Sequence, residues 1–176
     1  MIVDPRAILM FGANVLLFYL MLLVNSGLAA WSIYLFLLGP MLVLPVIYLR
    51  HSSYFVCTLA TGLWVDAALP ATFGLFTLGF LVAGAFIFQI RFRFRAEHNY
   101  HLILLAHAVN FFCILLVTLF MGLSFLANGG FWMQLAVTIL TSHLVLLLVA
   151  PWFFNLQRLL FSLCRLDSEP DEFPTL

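Results

Sequence analysis

Six long apolar runs, at residues 7–24, 29–49, 54–69, 73–90, 102–126 and 131–154, leave almost no sequence from which to build a water-facing surface. Crossing about 30 Å of hydrocarbon takes about 20 apolar residues as helix, so each run reads as a candidate span. The third is short, and the second contains Pro40 and Pro45, so one of these two is expected to be kinked or incomplete. Only 8% of the chain is charged, against about 25% in soluble domains, and this excludes an ordinary soluble fold. The expected architecture is all-α: a polytopic integral membrane helix bundle of six transmembrane helices occupying residues 1–166. Residues 167–176 carry four acids and two prolines and form a short disordered acidic cytoplasmic tail.

Charge sets the orientation. Arg6, Arg50, Arg91, Arg93, Arg95, Arg158 and Arg165 fall in the N-terminus, the second and fourth connections and the C-terminal tail, which share one side when the spans number six. The other connections carry no charge, so both termini are expected in the cytoplasm. The apolar start followed by Gly27-Leu28-Ala29-Ala30 resembles a signal peptide, but no soluble region follows it, and it reads as a retained first span. No basic face exists for nucleic acid, and the absence of lysine excludes Schiff-base and phosphate-loop chemistry. Cys57, Cys113 and Cys164 lie in separate segments and read as packing residues.

Few residues offer chemistry. Asp66 is an ionisable group inside a span, about 18 Å from its inner end at 1.5 Å per residue. It is expected to accept hydrogen bonds from a partner or from backbone donors at the Pro70 turn, and Asp66→Asn, retaining one acceptor oxygen, is expected to keep most function. A second carboxylate for aspartyl proteolysis is missing. His107 and Asn110 share a helix side one turn inside the inner face, while His143 sits near the middle of the last span. Hydrogen bonding between helices is the preferred reading of these histidines over metal ligation. Glu97, His98 and His101 read as an ordinary solvated loop, and a Ser124–His143 protease dyad lacks the required turn around the serine. No catalytic, cofactor or metal site is assigned. Gly62 before Asp66 and Gly79 before Ala83 give small-residue spacings that let helices approach, and Gly74 suits the reversal after Pro70. The Arg91, Arg93 and Arg95 ladder either enforces topology or meets an acidic cytoplasmic partner.

The stretch Gly62-Leu63-Trp64-Val65-Asp66, followed by Phe73-Gly74-Leu75, resembles the central motif of the bacterial rod shape-determining MreD family. An Arg-containing inner loop and the closing run from Pro151 to Arg158 extend the likeness over residues 35–160. It departs at Thr58, Pro70 and Trp31-Ser32, where the family often has other residues. The resemblance implies a non-enzymatic scaffold of the bacterial cytoplasmic (inner) membrane. Its implied partners are an MreC-like bitopic protein, MreB, RodA and a class B penicillin-binding transpeptidase, in the complex that inserts sidewall peptidoglycan. Gly62, Asp66, Pro70, Gly74, Arg91, Arg93 and Arg95 are then structural or partner-contact candidates, alongside contact with membrane lipid. The alternative is the substrate-binding membrane subunit of an energy-coupling-factor vitamin transporter. For that reading the first span, with Ala7 followed by Phe11 and with Asn14 as its polar residue, offers a poor docking face and little of a pocket.

Overall fold

The computed structural model describes residues 4–91, 99–122 and 129–166, and among these it contains helices and no strand. In chain order they are α1 (Pro5–Leu28), a 3-10 turn (Ala29–Trp31), α2 (Gly39–Tyr48), α3 (His51–Ala68), α4 (Leu75–Ile90), α5 (Asn99–Met121) and α6 (Gly129–Leu163). Three stretches are long and apolar enough to cross a membrane: Pro5–Trp31, Tyr100–Phe120 and Gly129–Leu163. Large apolar side chains such as Leu23, Leu148 and Met133 remain exposed around the outside. A surface of this kind gives the chain the character of a membrane protein.

Local chemistry sets several helix ends. The Asp4 carboxylate accepts from the Arg6 amide at 2.9 Å, with Pro5 opening the first turn of α1. The Arg6 guanidinium returns to the same carboxylate at 2.8 Å. Asn25-Ser26-Gly27, expected as a break, does not end α1, which runs through to Leu28.

The second apolar run corrects the expectation of six full spans. It holds a 3-10 turn, an extended stretch at 33–38 and only ten residues of α-helix, about 15 Å long. Pro40 is the physical reason. Its ring would clash with the carbonyl four residues back and its nitrogen has no hydrogen to donate, so the helix cannot continue toward Phe36. Every residue of α2 is buried. A helix apolar on all sides belongs in a core, and α2 is enclosed by α1, α3, α4, α5 and α6. At its start, a Cβ on Gly39 would overlap the Ala106 carbonyl of α5.

The two free thiols Cys57 and Cys113 pack in the interior as expected, whereas Cys164 is exposed beyond α6. The closest helix approach among the described residues of the α3–α4 pair lies at Gly62, where an added Cβ would stand 2.6 Å from the Thr77 Cα. At Gly84 the same atom would meet only side-chain carbons at 3.5–3.6 Å. Alanine favours a helix interior over glycine by about 1 kcal/mol. Gly84→Ala is therefore expected to leave thermal unfolding in detergent unchanged or raise its midpoint. Gly62→Ala is expected to lower it, because backbone at Thr77 must move. Equal midpoints for the two variants contradict the close approach.

Candidate functional site

The buried polar side chains converge on helix ends. Gly74, with φ of 93°, occupies the N-cap position of α4 in the left-handed region that glycine tolerates. Lacking a side chain, it cannot supply the oxygen that normally receives the next amides. Asp66 supplies it from α3: Oδ1 accepts from the Phe76 amide and Oδ2 from the Thr77 amide, both at 2.9 Å. The Thr77 hydroxyl also donates to Oδ2. The carboxylate is 4% exposed and faces the positive end of the α4 dipole. Asp66 thus accepts from backbone as the sequence suggests, but its donors lie in the first turn of α4 instead of at the Pro70 turn. Gly62, one turn earlier on α3, lets Thr77 come close enough for this clasp.

A second set of contacts serves the extended stretch before α2. Asn25 pairs with Leu35 through both ends of its amide, accepting from Leu35 N at 2.7 Å and donating to Leu35 O at 2.9 Å. The Phe36 amide donates to Ser142 Oγ at 2.9 Å and the Leu37 amide to the Met21 sulfur at 3.3 Å. Asn110 Oδ1 then receives the amides of Leu38 at 3.0 Å and Gly39 at 3.3 Å, capping α2 from α5. Five consecutive amides are satisfied by side chains of α1, α5 and α6.

The rest of α2 is treated in the same way. Pro45 has no N–H for the Met41 carbonyl one turn back, and Asn14 of α1 donates to that oxygen at 2.9 Å. The Asn14 amide also donates to Thr61 Oγ1 at 3.1 Å and accepts from Gln157 of α6 at 3.4 Å. At the other end, Arg91 is buried and donates to the carbonyls of Val46 and Leu49, each at 3.3 Å. Its guanidinium carbon stands 3.7 Å from the centre of the Phe88 ring. Arg91 is therefore a C-terminal cap for α2 and no part of a solvated ladder. Arg93 and Arg95 lie outside the described residues, as do Glu97, His98, Ser124 and the acidic tail. Pro70 stands in the reversal between α3 and α4, partly exposed.

The histidines meet across α5 and α6. His107 and His143 stack with ring centres 5.2 Å apart, and His107 Nε2 lies 3.3 Å from the His143 carbonyl. The two rings therefore share one depth, although the span limits read from sequence place them at different depths. Asn110 does not act with His107: it faces α2 while His107 faces α6. Among the described residues no group of three His, Cys, Asp or Glu side chains is placed to hold a metal. Beside the extended stretch, a largely apolar groove of about 610 Å³ opens between Tyr34, Phe36, Ile114, Val117 and Leu135, with Asn25 and Gln134 at its wall.

Asn25, Ser142, Thr61 and Gln157 carry this arrangement and escaped the sequence reading, although strongly polar residues in apolar runs are the available signal for such sites. Comparison of the chain with protein-family models, curated proteins and solved structures finds no significant match.

Because both Asp66 oxygens accept, asparagine at this position would turn an amino group toward one donor set. Asp66→Asn is expected to lose about 1.5–3 kcal/mol of stability, the scale of a hydrogen bond to a charged group. Asp66→Leu, which removes both acceptors, is expected to lose more. For Asn110→Leu, two buried amides lose their acceptor at about 1–3 kcal/mol each. Denaturation of each variant in detergent checks the order, and a wild-type midpoint for Asp66→Leu or Asn110→Leu contradicts the capping roles.

Proposed function

We propose that this chain is a non-enzymatic scaffold of the cell-elongation machinery, similar to MreD, crossing the bacterial cytoplasmic membrane several times with both termini inside. Its role is to couple an MreC-like bitopic protein and the cytoskeletal filament to RodA and a class B transpeptidase. The observation that carries this reading is the α3–α4 clasp. Gly62, Asp66 and Gly74, on which the resemblance rests, act together in one hairpin, where they hold two helices in register. A motif of this kind serves rigidity, and a rigid helix pair is what a scaffold offers its partners.

The transporter-subunit alternative asks for polar groups directed at a solute. Asn14, Asn25, Asn110 and Ser142 are instead engaged with this chain's own backbone, and the 610 Å³ groove is mainly apolar. This favours the scaffold.

Depletion from a rod-shaped host that has no second copy is expected to give round cells with vitamin uptake intact. Retained rod shape removes the scaffold reading. Topology is tested separately with thiol reagents. Cys164 is expected to react only with a reagent that enters the cytoplasm, and a cysteine introduced at Asn128 with one that stays outside. Reaction of both from the same side removes the arrangement with both termini inside.

A further inference from the structure

The described structure leaves one polar side chain within the apolar outer surface without a hydrogen-bonding partner. His143 engages neighbours through its carbonyl and through ring stacking with His107 and Phe111, but its imidazole nitrogens make no hydrogen bond to any described residue. The surrounding surface is apolar: Leu104 and Phe111 on α5, with Leu140, Leu144 and Leu147 on α6, are each 49–62% exposed. His107 stands seven residues, about 10 Å, inside the span-length stretch that begins at Tyr100, and the stacked His143 shares that depth. The lipid ester groups of the interface do not reach so far, and acyl chains offer no hydrogen bond.

A neutral imidazole has one N–H and one lone pair. His107 uses its Nδ1 toward the Ile103 carbonyl of its own helix, at 2.8 Å. His143 has no equivalent, because its own helix gives its ring no contact of this type. Polar groups in such surroundings mark places where helices associate.

We propose that the α5–α6 face centred on His143 docks a membrane-spanning helix of a partner protein carrying a hydrogen-bond acceptor: a carboxamide, hydroxyl or carboxylate side chain. The complementarity is polar at the centre, where His143 donates, and apolar around it, where Leu140, Leu144, Leu147 and Phe111 receive the partner's apolar side chains. His107, stacked on one face of the ring, fixes the direction in which His143 points. The inference rests on the scaffold reading only in supposing a partner within the membrane.

A photocrosslinking residue at Leu140 or Leu147 of the full chain, in membranes of its native host, tests this, with Val82 on α4 as the control. Adducts from Leu140 and Leu147, but not Val82, are expected to map by mass spectrometry to a spanning helix of another protein, within a turn or two of a polar side chain. His143→Leu is expected to reduce their yield roughly five- to thirtyfold, the range set by one hydrogen bond between membrane helices. His143→Gln, which keeps a donor, is expected to restore most of it. Leu144→Trp, which adds bulk on the exposed face without touching the core, is expected to block crosslinking even if His143→Leu accumulates poorly. Adducts to lipid only, to a second copy of this chain, or equally from Val82 overturn the proposal, as does an undiminished yield in both His143→Leu and Leu144→Trp. Rod shape after depletion is a separate readout, so failure of this surface and failure of the elongation role are distinguished.

Discussion

A peptide group removed from water must find a hydrogen-bond partner, and the placement of α2 makes that requirement unusually severe. The helix is short, wholly buried, entered by an extended stretch and interrupted by Pro45. An unsatisfied buried donor or acceptor costs about 1–3 kcal/mol, so the amides from Leu35 to Gly39 alone could cancel the stability of a typical domain. Asn25, Ser142, Met21 and Asn110 meet these donors, Asn14 meets the Met41 carbonyl, and Arg91 meets the carbonyls at the far end. The positions of α1, α4, α5 and α6 around α2 follow from where these side chains have to reach.

The α3–α4 hairpin obeys the same requirement with a different donor set. Here a charged oxygen replaces the missing cap of a glycine, and the glycine exists because the chain must turn through a positive φ to reverse direction. Carboxylate, turn and close approach depend on one another: without Gly62 the Thr77 backbone could not come near, and without Asp66 the α4 amides would be buried unpaired. Such mutual dependence yields a stiff element.

The outer surface differs from this interior in chemistry. It presents apolar side chains, the groove beside the extended stretch, and the His107–His143 pair. An interior that satisfies its own polar groups and a surface that carries few of them suit a protein whose work is contact with other membrane components.

Length and hydropathy by themselves determined that the chain is helical and apolar, and the spacing of Asp66 to Gly74 made the α3–α4 hairpin legible, because its hydrogen bonds join residues only 10 and 11 apart. Pro40 and Pro45 announced that the second run was irregular, since the loss of an N–H is a local fact. What sequence could not assign was the answer to that irregularity. Ser142 reaches Phe36 across 106 residues, Asn110 reaches Leu38 across 72, and Arg91 reaches Val46 across 45. Only the packed bundle decides such pairings, because each amide takes whichever polar side chain the neighbouring helices bring within about 3 Å of it.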